Sequence, residues 1–121
     1  MNLVRVVLLG FSLLMAVTGR ASGSAESSVA KAVLIDVRTA VEYRAEHLEG
    51  ALNIPYDVIT ESIEQTVPDR KTKVILYCRT GRRSGIALES LKKAGYEDVI
   101  DLMTVKGASE KLGLPIIKGD K

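Results

Sequence analysis

Apolar residues in this chain fall into short unbroken runs, set apart by polar segments with helical spacing. Ala32-Val33-Leu34-Ile35-Asp36-Val37 and Lys73-Val74-Ile75-Leu76-Tyr77-Cys78 are the two strongest runs. Both are too continuous for a half-exposed strand and read as strands buried on both faces. Ala51–Ile54 is a shorter strand stopped by Pro55, and Asp98–Leu102 is a fourth. Between them the pattern turns helical. Thr39 is placed to cap a helix over Ala40–His47, with Glu42 at the third helical position of a capping box. Ile59–Thr66 and Ile86–Ala94 follow, the latter ended by Gly95. A last helical turn covers Ser109–Leu112 before Pro115, and the tail from Lys118 to Lys121 is expected to fray. Strands alternating with helices predict an α/β fold, a small parallel sheet with helices on both faces. In such sheets ligands bind beyond the carboxyl ends of the strands. Cys78, Asp36 and Arg38 all lie there.

The N-terminus does not share this pattern. Arg5 is the only charge before an apolar stretch from Val6 to Val17, and small residues follow from Gly19 to Ala25. That order reads as an export signal over residues 1–25, cleaved after Gly23 or Ala25. The stretch is shorter than the ~20 residues of a spanning helix, so no stable membrane insertion is expected after cleavage. Residues 26–121 then form one domain, and the expected location is the periplasm, or outside the cell where there is no outer membrane. The signal holds Arg5 and Arg20 and no acids, so a chain of formal net charge +2 yields a neutral domain. No global basic field remains to argue for nucleic acid.

What basicity matters is local. Cys78 is the only cysteine, and Arg79-Thr80-Gly81-Arg82-Arg83-Ser84-Gly85 follows it. A lone thiol in an exported protein has no internal disulfide partner. This one ends a strand, under a loop with two glycines, at the start of a helix, with three arginines close by. Nearby cations and a helix N-terminus favour thiolate over thiol. Gly81 and Gly85 permit backbone shapes that turn successive amides inward. The expectation is a concave cationic cup with sulfur at its base, suited to an oxyanion such as thiosulfate or phosphate, or to a persulfide. One cysteine and one histidine, His47, fall short of a metal-ligand set, and no cofactor is expected. His47 is expected to be structural. Arg38 is expected to pair with Glu42, and Asp36 to bond nearby backbone.

Two long motifs resemble the single-domain rhodanese family. One runs from Asp36-Val37-Arg38 through Glu42-Tyr43 to His47-Leu48-Glu49-Gly50-Ala51-Leu52-Asn53-Ile54-Pro55. The other is Val74–Ser84, and Leu91–Val99 matches the segment after it. The resemblance covers residues 32 to about 102. It implies a thiosulfate-type sulfurtransferase in which Cys78 is the nucleophile. The amides of Arg79, Thr80, Gly81, Arg82 and Arg83 would cradle the transferred sulfur, and the Arg79 and Arg82 guanidinium groups would hold the oxyanion. Arg83 would pair with an acid to fix the loop. Implied substrates are thiosulfate with cyanide or thiols, and a thiol-bearing protein is a possible acceptor.

Two other functions remain open on the residues: a carrier that passes persulfide to a protein partner, and a cysteine-dependent phosphatase or arsenate reductase. Rhodanese-like phosphatases place arginine after Cys and five residues. That position here is Ser84, and the shorter loop suits one sulfur atom better than a phosphate. The segment Met103–Ala108 departs from the family, which often has a Gly-Gly pair and a tryptophan after the fourth strand.

Overall fold

The computed structural model describes residues 32–119. The expected export signal and its cleavage point lie outside these residues. Strand β1 is Val33–Asp36, helix α1 Ala40–Ala45, β2 Glu46–Leu48 and β3 Leu52–Asn53. A 3-10 turn at Tyr56–Val58 leads into α2, Ile59–Thr66. Then come β4 Val74–Cys78, α3 Arg82–Lys93, β5 Val99–Thr104, α4 Val105–Leu112 and β6 Ile116–Lys118.

Four strands form a parallel sheet in the order β3-β1-β4-β5. Every residue of β4, at its centre, is buried. Successive side chains of a strand point to opposite faces, and the core divides accordingly. Val74, Leu76 and Cys78 join Ile35 and Val37 on one face, under Ile59 and Ile63 of α2 and Ala87 and Leu91 of α3. Tyr77 points the other way and packs with Leu48, Ala51, and Val105 and Ala108 of α4. Helices therefore cover both faces, as the continuous apolar runs require.

Local signals explain most element ends. At α1 the Thr39 hydroxyl accepts from the Glu42 amide at 3.2 Å, while the Glu42 carboxylate accepts from the Thr39 amide at 3.0 Å. That is the expected capping box. The helix stops at Ala45 rather than His47, because Glu46, His47 and Leu48 become a strand that pairs antiparallel with Lys118, Ile117 and Ile116. Lys118 is thus held in β6 and does not fray. Helix α3 begins at Arg82, one turn before Ile86, with Gly81 as its N-cap. Helix α4 begins at Val105, four residues before Ser109. Thr104 caps it, its hydroxyl accepting from the Gly107 amide at 2.9 Å.

Candidate active site

Strand β4 delivers Cys78 to the carboxyl edge of the sheet, and the chain turns at once into α3. Gly81 makes that turn possible: its φ is 102°, in the left-handed region where a side chain is strained. The turn aims two amides at the sulfur. The Gly81 N–H donates to Cys78 Sγ at 3.0 Å, and the Ser84 N–H donates at 3.4 Å. Ser84 Oγ stands 3.5 Å from Sγ and donates to the Gly81 carbonyl at 3.3 Å. Burial pushes the Cys78 thiol up. The contact with the Ser84 hydroxyl and hydrogen bonds from the Ser84, Gly81 and Thr80 amides outweigh it, and the net effect lowers the thiol below its usual range.

The amides face inward, as the sequence suggests, but the cup is not open. Cys78 has no exposed surface and packs within the apolar core. The loop closes directly on its own sulfur, so its amides hold Sγ where they were expected to line a hollow.

The arginines divide around the loop. Arg79 lines a cleft of about 830 Å³ with Arg38, Glu42, Thr104, Val105 and Lys106. Arg82 and Arg83 line a second cleft, of about 350 Å³, with Val37, Thr39 and Tyr56. The structure thus does not bring Arg79 and Arg82 onto one opening. The Arg82 guanidinium stands 5.9 Å from the centre of the Tyr56 ring. Among the described residues, neither Arg79 nor Arg82 forms an ion pair. The exposed Thr80 hydroxyl accepts from the Arg82 amide at 3.5 Å. Gly85 lies within α3 and makes no left-handed turn.

Arg83 pairs with an acid, and that acid is Glu42. Its two terminal nitrogens donate to the Glu42 carboxylate at 2.8 and 3.0 Å, binding the loop to α1. The sequence suggests that Arg38 pairs with Glu42, and the structure corrects this: Glu42 is taken by Arg83. Arg38 curls back onto Asp36, two residues away, with Nη2–Oδ2 at 2.7 Å and Nε–Oδ1 at 2.9 Å. Asp36 also accepts from the Arg38 amide at 3.0 Å. His47 stacks on Tyr43, ring centres 3.8 Å apart.

The Glu42–Arg83 pair carries a pH signature. The Arg83 hydrogen bond is the main cause that holds the Glu42 carboxyl at about 2, well below its ordinary 4.5; burial opposes it and the Thr39 contacts assist. A carboxyl depressed in the fold adds stability above its unfolded midpoint and loses it as pH falls. Wild type should therefore exceed Glu42→Gln by on the order of 1–2 kcal/mol at pH 7. The gap should close between pH 4.5 and about 2. Urea denaturation at pH 7 and pH 3 measures it; a gap unchanged at pH 3 would place the stabilisation elsewhere.

Ser84 is the residue at the sulfur that sequence reasoning passed over. Its signal was present: a hydroxyl in the first turn of a helix that starts beside the thiol. Among the described residues no three metal-ligating side chains cluster, and no helix is long and apolar enough to cross a membrane.

With this geometry in view, comparison with known proteins places the chain. The profile of the Rhodanese-like domain family matches residues 23–104. Thiosulfate sulfurtransferase PspE of Escherichia coli is 40% identical over 85 residues, which span 70% of this chain and 78% of that protein. The probable adenylyltransferase/sulfurtransferase MoeZ of Mycobacterium tuberculosis is 43% identical over 74 residues, which span 60% of this chain but 18% of that protein. A solved structure described as a rhodanese with anions from E. coli superposes with a TM-score of 0.66 at 39% identity, over 73% of this chain and 99% of that one.

Proposed function

This chain belongs to the rhodanese family of sulfurtransferases, and on that premise we propose that it takes sulfane sulfur from thiosulfate and passes it on through a Cys78 persulfide. The Cys78 thiolate attacks the outer sulfur of thiosulfate. The Sγ–S bond forms, the sulfur–sulfur bond of thiosulfate breaks, and sulfite leaves with the bonding pair. A thiophile such as cyanide then attacks the outer sulfur of Cys78–S–S⁻, giving thiocyanate and the starting thiolate. The reading is carried by the two inward amides, at 3.0 and 3.4 Å from Sγ, on a loop with no room for a fifth residue before Arg83. These donors stabilise the attacking thiolate. No metal or organic cofactor enters either step.

The divided arginines give the donor a docking place. Arg82 is exposed and lines the smaller cleft with Arg38 and Tyr56, so it takes the sulfonate end of thiosulfate. Arg82→Ala should raise KM for thiosulfate roughly tenfold, the loss of one charged hydrogen bond, with kcat and stability little changed. An unchanged KM would remove Arg82 from the donor site.

The direct test is the intact mass of the purified domain after thiosulfate exposure. A gain of one sulfur, reversed by cyanide, is expected. No gain would sink the proposal. A gain that cyanide leaves in place would point to a protein acceptor, and aryl phosphate turnover without any gain to phosphatase chemistry. The N-terminal pattern supports action in the periplasm. Fractionation of cells expressing the full chain tests that, and a cytoplasmic pool of uncleaved protein would overturn it.

A further inference from the structure

Between two paired positions β5 holds one residue more than β4. Leu76 faces Asp101 and Cys78 faces Thr104, so two steps on one strand match three on the other. Such bulges re-aim a side chain, and the left-handed position in them usually belongs to glycine. Here Met103 stands at this irregularity, with φ 73°, the one positive φ outside glycine among the described residues. Glycine would adopt this conformation at no steric cost, whereas a side chain crowds its own backbone. The Asp101 carboxylate accepts from the Met103 amide at 2.9 Å and holds it there.

The strained residue sends its side chain to one place. Its Cε, Cβ and Cγ stand 2.9, 3.3 and 3.5 Å from where a Cβ on residue 81 would be. Gly81 is thus covered by Met103 on the face a side chain would occupy, while its amide reaches Cys78 Sγ at 3.0 Å. Met103 itself remains half exposed, at 52%, so burying its own apolar surface does not account for its place. Strain that persists beside a reacting atom calls for a role there.

We infer that Met103 is a positioning residue for sulfur transfer: its thioether arm clamps Gly81 and thereby keeps the Gly81 amide on Cys78 Sγ. The inference rests on the sulfur-transfer reading for its purpose, but its geometry stands apart from the donor. The other groups acting on the sulfur are the Ser84 hydroxyl and amide, the Thr80 amide and the charge of Arg83. They belong to the loop and to α3, so a change confined to Met103 alters the clamp alone.

The test is an ultraviolet titration of the Cys78 thiolate in Met103→Ala, Met103→Gly and Met103→Leu, with melting temperatures. Ala and Gly should raise the titration midpoint by roughly 0.5 to 1 pH. Leu, which keeps the bulk, should titrate like wild type. Gly should melt at or above Ala, because it also relaxes the backbone. Ala and Gly titrating like wild type would overturn the inference, as would Leu shifting as far as Ala. If Ala folds poorly, the relaxed Gly variant still reads the clamp. The titration needs no thiosulfate. An unmoved midpoint in protein that still gains sulfur would remove Met103 and leave sulfur transfer standing.

Discussion

Cys78→Ala and Cys78→Ser should both abolish sulfur transfer, lowering thiosulfate–cyanide turnover by roughly 10⁴-fold or more, to background. On the proposed mechanism the reaction proceeds through a bond to this sulfur, and the described residues hold no second cysteine to take its place. The serine variant is the sharper of the two. It keeps an acceptor for the Gly81 and Ser84 amides, so the loop should keep its shape. It cannot form a persulfide, so the mass after thiosulfate should stay fixed. Alanine leaves both amides without their acceptor, at a further cost of about 1–3 kcal/mol in stability. Residual turnover within tenfold of wild type in the serine variant would mean that the chemistry does not pass through Cys78.

The largest effect on stability is expected at Asp36. This carboxylate is fully buried and Arg38 nearly so, at 0% and 5% exposed. Asp36 receives the Arg38 side chain through two nitrogens and the Arg38 amide besides. Arg38 Nη2 also donates to the Glu46 carbonyl at 2.6 Å, and the guanidinium stands 5.8 Å from the Tyr77 ring centre. Burial chiefly, with the Asp36 charge assisting, raises the Tyr77 hydroxyl, which therefore stays neutral within this network. Asp36→Ala leaves a cation in the interior with its partner gone. Breaking one side of such a pair costs about 3–5 kcal/mol. A domain of this size has about 5–15 kcal/mol in all. The variant should therefore be largely unfolded at moderate urea concentrations at which wild type is native. Asp36→Leu combined with Arg38→Met should recover much of the loss, because removing both charges spares the desolvation penalty. A loss under 1 kcal/mol for Asp36→Ala would show that water reaches Arg38.

How far the sequence carried can be judged from particular residues. The four parallel strands were legible because each is a short apolar run bounded by polar residues or Pro55. Helix α2 was legible to the residue, with Ile59 and Ile63 on its buried face. The start of α3 was not, because Gly81 caps it through backbone conformation and offers no side-chain signal. The start of α4 was hidden for a similar reason: Thr104 caps it, but Gly107 occupies the position where a glutamate would have completed a capping box. Strands β2 and β6 are three residues each, too short for any periodicity. They exist only because they meet.

The site shows the same limit. Cys78 and its loop announce themselves in composition. Which carboxylate each arginine chooses does not. Arg38, Glu42 and Asp36 lie close in sequence, and spacing alone favoured Arg38 with Glu42. Arg83, forty-one residues from Glu42, outbids it because the fold brings α1 against the loop. Met103 shows in sequence only as a departure from the family's glycines. Its meaning appears once the bulge and the contact with Gly81 are seen together.

The antiparallel ribbon of β2 and β6 has a consequence for how the molecule comes into being. Its Lys118–Glu46 pair joins positions 72 residues apart. Contacts of such range must wait for the intervening chain. During synthesis the polypeptide cannot close this seam until its last strand has emerged.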